Sequence, residues 1–337
     1  MKYNFLGNTG LKVSELCLGT MTFGGKGYWT TIGELQQHSV DDIIKRSIDA
    51  GINFIDTANV YSEGQSEELT GKAIRNLGLK RDDLVIATKV RGKMGDGPNE
   101  IGLSRKHIMQ QVDESLKRMD IDYIDLYQIR GYDALTPIED SIRTLDDLVK
   151  SGKVRYIGCS NLAAWQLMKA LAFSAYHNVA KFVSLQAYYT IAGRELEREL
   201  IPLLNDQKVG LMVWSPLAGG FLSGKYSRHK KPEDARRITF DFPPIDKEKA
   251  FDIIDVMDPI AQSKNTSVAQ IALSWLLHQP AVSSVIIGAK NNDQLEDNLK
   301  AVDIVLTEEE LQRLNDVSKL TPEYPGWMLQ RQSVDRK

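Results

Sequence analysis

Apolar positions along the chain fall into short runs, separated by longer stretches in which they recur at helical spacing. At the start, Tyr3, Phe5 and Leu6 precede Gly7-Asn8-Thr9-Gly10, and a second apolar run follows at 13–16. That is the pattern of a β-hairpin around a turn. Further along, apolar runs at 17–19, 53–56, 84–89, 123–128, 154–159, 182–186, 211–214 and 284–287 predict strands. Between them, Val40, Ile43, Ile44 and Ile48 mark a helix that begins at Ser39 and stops before Gly51, a residue suited to a left-handed cap. Ile108, Val112, Leu116 and Met119 form the stripe of a second helix over 104–119. Gly152 and Gly210, each just before a strand, read as the same punctuation.

Short strands alternating with helices predict a parallel sheet with crossover helices. Eight such units in 337 residues fit a closed (β/α)8 TIM barrel, with 1–337 forming one domain. A doubly wound open sheet is the competing architecture. It calls for a G-x-G-x-x-G turn opening a helix after the first strand, and the glycines from Gly19 to Gly27 do not form one. Residues 224–246, rich in charge and proline, read as an inserted loop.

Composition narrows the partners. The chain has 42 basic and 45 acidic residues, a balance with no general attraction for nucleic acid or an anionic membrane. Cys17 and Cys159 lie in apolar runs and read as reduced core thiols, without zinc-type spacing. The N-terminus lacks the uninterrupted apolar region of a signal peptide, and no apolar run spans a bilayer, so a cytoplasmic protein is expected. His38, His107, His177, His229 and His278 read as surface or helix residues, and no metal is expected. Ser160 has no histidine–acid partner at workable positions for a serine hydrolase.

In a barrel, chemistry gathers at the C-terminal strand ends. The second strand ends in Asp56, with Tyr61 in the loop beyond. The third ends in Lys89, and the fourth in Gln128-Ile129-Arg130. Ser160-Asn161, Gln186, Trp214-Ser215-Pro216 and Gly288-Ala289-Lys290 close the last four. Singly these residues are ordinary: Asp56 a cap, Lys89 a snorkelling surface residue, Tyr61 a packing residue. Together they have a use. A phenol has a pKa of about 10, a nearby ammonium favours the phenolate, and a carboxylate holds the ammonium. Such a tyrosine can hand a proton to a carbonyl oxygen as hydride reaches carbon.

The motifs LGTMTFGG (18–25), DTANVY (56–61), IATK ending at Lys89, GCSN (158–161), WSPLAGGFLSGKY (214–226) and IIGAKNNDQLEDNL (286–299) resemble the aldo-keto reductase family over nearly the whole chain. The likeness is greatest to a bacterial group related to potassium-channel β subunits. The resemblance implies a barrel whose bottom is closed by the N-terminal hairpin. It also implies NADPH, less often NADH, bound without a Rossmann motif, and hydride exchange with a small aldehyde, ketone or alcohol. By it, Asp56, Tyr61 and Lys89 belong to a catalytic tetrad. Thr20, Met21 and Asp56 lie by the nicotinamide half, Ser160, Asn161 and Gln186 bind the carboxamide, and Trp214 stacks on the ring. Ser215, Pro216, Leu217, Ala218, Gly219 and Lys225 hold the pyrophosphate; Lys225 and Arg237 add charge near Lys290 for the 2′-phosphate, unless Arg236-Arg237 is simply a solvated loop. Gly288, Lys290, Gln294, Asp297 and Asn298 surround the adenosine end. Tyr61 and Arg130 would line the substrate pocket; by their place in loop and tail, Trp29, Trp327 and Met328 are candidates to join them, the alternative for Trp29 being packing on its own loop.

One tetrad position departs. The family pattern Q-x-H-x-x-D reads Gln128-Ile129-Arg130-Gly131-Tyr132-Asp133 here. Arginine stays charged and donates several hydrogen bonds, but it cannot relay protons as histidine does. Two readings remain: a reductase with altered turnover, or an NADPH-binding redox module with little turnover.

Overall fold

Eight of the strands close on themselves. The computed structural model describes residues 1–230, 232 and 236–334. An antiparallel hairpin, β1 (Tyr3–Phe5) and β2 (Lys12–Ser14), comes first. The barrel follows as β3 (Leu16–Gly19), β4 (Phe54–Asp56), β5 (Val85–Val90), β6 (Ile124–Ile129), β7 (Val154–Ser160), β8 (Phe182–Tyr188), β9 (Gly210–Trp214) and β10 (Val282–Ile287). All eight are parallel, in chain order, with β10 pairing to both β9 and β3. Crossover helices α1 (Gln37–Asp49), α2 (Gln65–Asn76), α3 (Arg105–Met119), α4 (Ile138–Lys150), α5 (Ala164–His177) and α6 (Leu200–Gln207) each link one strand to the next. The last crossover carries α7 (Arg236–Thr239), α8 (Lys247–Ser263) and α9 (Val268–Leu277), and α10 (Asn292–Leu299), α11 (Glu308–Ser318) and α12 (Gly326–Ser333) follow β10.

Side chains alternate faces along each strand, so the barrel has two cores. Outward residues such as Ile86, Tyr127, Leu185 and Val213 pack under the helices. Inward residues Cys17, Phe54, Val85, Leu126, Val183 and Met212 fill the lower barrel together with Leu6 and Val13 of the hairpin. The hairpin thus plugs the N-terminal end. Gly7 makes this fit possible: its φ is +59°, and a Cβ there would stand 2.5 Å from the Val183 carbonyl oxygen. The Asn8 N–H donates to the Lys208 carbonyl at 3.0 Å, fastening the turn to the barrel rim.

Several expectations need correction. Leu16 belongs to β3, where it pairs with Val285, and not to the hairpin. Gly210 is no helix cap. Lys208 takes the left-handed position after α6, and Gly210 opens β9 where Gly7 presses closest, since a Cβ on Gly210 would stand 2.7 Å from the Gly7 nitrogen. His107 is a helix residue as expected, in α3, but it is fully buried, facing the backbone of Gly92 and Asn99 without reaching hydrogen-bond geometry. The loop 91–103 covers it, and burial lowers its pKa. Both cysteines are free and buried. Among the described residues no helix is long and apolar enough to cross a membrane.

Candidate active site

The same alternation that fills the barrel's lower half with apolar groups places polar ones above them. Asp56 pairs in register with Ala87, so Lys89 lies one same-face step higher on the neighbouring strand. Lys89 pairs with Gln128, Gln128 with Gly158, and Ser160 with Gln186. One further same-face step, just past the end of β6, reaches Arg130.

Lys89 is 1% exposed. Its Nζ donates to Asp56 Oδ2 at 2.5 Å and to the Thr57 carbonyl at 2.8 Å, and it lies 3.4 Å from the Tyr61 hydroxyl. The other carboxylate oxygen of Asp56 accepts from Gln128 Nε2 at 3.0 Å and Gln186 Nε2 at 2.9 Å. Burial is the strongest single influence on the Lys89 pKa and pushes it down. Attraction to Asp56 and then to Tyr61 outweighs it, so the pKa ends above its ordinary value, against some opposition from Arg130. The amine therefore stays protonated, matched to a carboxylate that is itself fully bonded.

Tyr61 is presented by a strained turn. Ser62 (φ 48°), Glu63 (φ 57°) and Gly64 (φ 94°) follow it with left-handed backbone before α2 begins. The first two carry a Cβ and incur a steric cost there. The Ser62 hydroxyl, donating to the Phe23 carbonyl at 3.0 Å, helps hold the turn. The Trp29 ring meets Tyr61 edge-on at 5.2 Å. The Arg130 guanidinium lies 5.4 Å from the Tyr61 ring centre and 5.6 Å from that of Trp29.

These groups sit at one end of a cavity of about 960 Å³, at the top of the range for small-molecule sites. Trp214 walls its middle. The indole N–H donates to Asn161 Oδ1 at 3.0 Å, and the Asn161 amide donates in turn to the Arg130 carbonyl at 3.0 Å. Phe242 stacks on the indole at 5.9 Å, nearly parallel. Next comes the turn after β9, where Ser215, Ala218, Gly219 and Gly220 all have positive φ. A Cβ on Gly219 would stand 2.3 Å from the Phe242 carbonyl oxygen. The far end is formed by Gly288, Lys290 and the start of α10, capped by the Asn291 side chain, which accepts from the Gln294 N–H.

These residues fit a dinucleotide. A flat indole edges the reacting end, small residues leave backbone close to the cavity, and a helix start beside Lys290 offers N–H groups and charge for a phosphate. Among the described residues no group of three or more His, Cys, Asp or Glu is arranged to hold a metal.

Thr20, Met21, Trp29, Asp56, Tyr61, Lys89, Arg130, Ser160, Asn161, Gln186, Trp214, Ser215, Pro216, Leu217, Gly219, Lys225, Gly288, Lys290, Gln294, Asp297 and Asn298 all line this cavity. Arg237 and Ala218 do not. Arg237 is buried, donating to the Ala218 carbonyl at 2.7 Å and the Pro243 carbonyl at 2.8 Å and pairing with Asp241 at 2.5 Å. Its guanidinium braces the turn from behind and does not itself line the cavity. Asp297 faces the cavity with its carboxylate engaged by Ser267 and Gln270. Trp327 and Met328, on α12, lie outside the lining. Sequence reasoning missed Tyr28, Phe240 and Phe242, which line the same cavity, and the bond from Gln128 to Asp56. Two aromatics spaced i, i+2 in a charged loop were the one available hint.

Fold and site together define a (β/α)8-barrel protein with Asp56, Tyr61 and Lys89 gathered in a cavity at the C-terminal ends of its strands. Residues 15–319 match the Aldo/keto reductase family, and the chain belongs to that family. It is 38% identical to a probable voltage-gated potassium channel subunit beta of Arabidopsis thaliana, covering 96% of this chain and 99% of that protein. It is 36% identical to an uncharacterized oxidoreductase of Bacillus subtilis, covering 97% and 100%. To versiconal hemiacetal acetate reductase of Aspergillus parasiticus it is 34% identical, covering 97% and 99%.

Proposed function

We propose that this protein is a carbonyl reductase using NADPH in preference to NADH, with Tyr61 as the proton donor. The observation that carries the reading is the Tyr61 hydroxyl beside a buried, protonated Lys89 that is matched to Asp56. A bound dihydronicotinamide supplies hydride to the carbonyl carbon. Tyr61 protonates the oxygen as charge develops there, and Lys89 steadies the phenolate left behind. Asp56 fixes the amine, and Gln128 and Gln186 fix Asp56. In this reading Ser160 and Asn161 face the carboxamide, Trp214 supports the ring, and residues 215–220 with Lys225 receive the pyrophosphate. Lys290 and the start of α10 take the 2′-phosphate, which favours NADPH. Trp29, edge-on to Tyr61, gives the reacting carbon an apolar neighbour, and the two free thiols suit a reducing cytoplasm.

A second reading is a nucleotide-binding module with little turnover. Arg130, which cannot relay a proton, and the likeness to channel β subunits favour it. The test mixes protein and NADPH with aldehydes and ketones and follows nicotinamide absorbance. Turnover that is abolished by Tyr61→Phe and slower with NADH supports the reductase. Tight NADPH binding without turnover on any carbonyl compound supports the module.

A further inference from the structure

We infer that Arg130 makes the site selective for carbonyl compounds bearing a carboxylate on the carbonyl carbon, the 2-oxo acids. This rests on the reductase reading above.

The interior arginines elsewhere are matched. Arg118 pairs with Glu67, Arg81 with Asp125, Arg194 with Glu197, and Arg237 with Asp241. Arg130 is different: among the described residues its guanidinium has no carboxylate partner and no hydrogen-bond acceptor. It lies over the Tyr61 and Trp29 rings and faces the cavity. Its five donors are therefore free for a ligand. Lys89 and Asp56 cancel one another, so Arg130 leaves this end of the cavity with net positive charge. The acidic lining residues Asp293 and Asp297 belong to α10, at the other end. The Trp29 and Tyr61 rings give the guanidinium low-polarity neighbours, which strengthens an ion pair formed there.

The shape of the demand is specific. A ligand satisfying both the Tyr61 hydroxyl and the guanidinium needs two oxygen groups a few ångströms apart. A simple aldehyde offers one. A 2-oxo acid offers its carbonyl oxygen to Tyr61 and a planar carboxylate to the guanidinium fork, whose geometry it matches. In the reaction C2 receives a hydride from the dihydronicotinamide, and the carbonyl π pair moves to oxygen. That oxygen takes the Tyr61 proton, which solvent later restores. The products are the 2-hydroxy acid and oxidised nicotinamide. The carboxylate keeps its charge throughout, so a permanently charged partner suits it better than a titrating histidine.

The test compares phenylglyoxylate, its methyl ester and benzaldehyde with NADPH. The ketone carbonyl of the ester is intrinsically more electrophilic than that of the acid, so a preference for the acid must come from the protein. The expected result is a kcat/KM ratio of acid to ester of ~10² in the wild type, the scale of a charged hydrogen-bonded pair. The ratio should fall to about one or below in Arg130→Gln and partly recover in Arg130→Lys. Calorimetry with oxamate, which cannot be reduced, should show the same order of binding in the three proteins. An ester preference in the wild type, or a ratio unmoved by Arg130→Gln, overturns the inference. Benzaldehyde turnover in that case leaves the reductase reading standing. Absence of turnover on all three compounds removes the reading and the inference together.

Discussion

The two ends of the barrel are built from the same strands by opposite rules. At the lower end, inward positions are apolar, the hairpin inserts Leu6 and Val13, and the fit is set by close packing. At the upper end, two to four residues further along the same strands, inward positions carry Asp56, Lys89, Gln128 and Gln186, and the fit is set by hydrogen bonds. Backbone strain follows this division. Asp120, Asn178 and Lys208 have positive φ as ordinary helix caps. Ser62, Glu63, Arg91, Asn161, Ser215 and Ala218 have it in loops around the mouth. The lower end makes the barrel stable, and that stability carries a strained, charged upper end.

The comparison can be broken by substitution, and the largest effect is expected at Lys89. Lys89→Met leaves Asp56 charged and buried without its partner. It should cost about 3–5 kcal/mol in urea denaturation and lower kcat by more than about 10³-fold, so stability and activity fall together. Tyr61→Phe removes a hydroxyl whose one close contact is long. It should lower kcat by ~10²–10⁴-fold while changing the unfolding free energy by less than about 1 kcal/mol. Leu6→Ala is the mirror case: a loss of about 2–5 kcal/mol, with kcat unchanged wherever the protein remains folded. If Leu6→Ala altered kcat, the two ends would not be separable. The smallest effect belongs to His107, on the flank. Its folded pKa is lowered, while the unfolded chain takes up a proton near about 6.5. Stability is therefore full above that pH and declines as pH falls towards the folded pKa. Urea midpoints between about pH 7.5 and 5 should show this slope, and His107→Gln should flatten it.

Much of this was legible in the chain. The eight strands were bounded to within two residues at either end, because buried parallel strands are apolar runs that stop where the chain turns. The polar strand ends were legible for the same reason: in a barrel they can point only into the mouth. What was hidden depended on chain segments folding back from a distance. Phe240 and Phe242 reach the cavity only because residues 236–246 return to the end of β9. Arg237, read as a phosphate ligand from its charge, is consumed by the carbonyls that this return brings near. His107 stands next to Ile108 of the apolar stripe, and its burial depends on the loop 91–103 lying across it. The Gln128 amide was visible as a strand end, but its bond to Asp56 required the register of three strands.

The Asn161 side chain joins the indole of Trp214 to the main chain of Arg130. A shift of that segment when an anion is gripped would pass through one carboxamide to a fluorophore. The emission of this tryptophan would then serve as a built-in gauge, reporting occupancy of a subsite the ring itself does not touch.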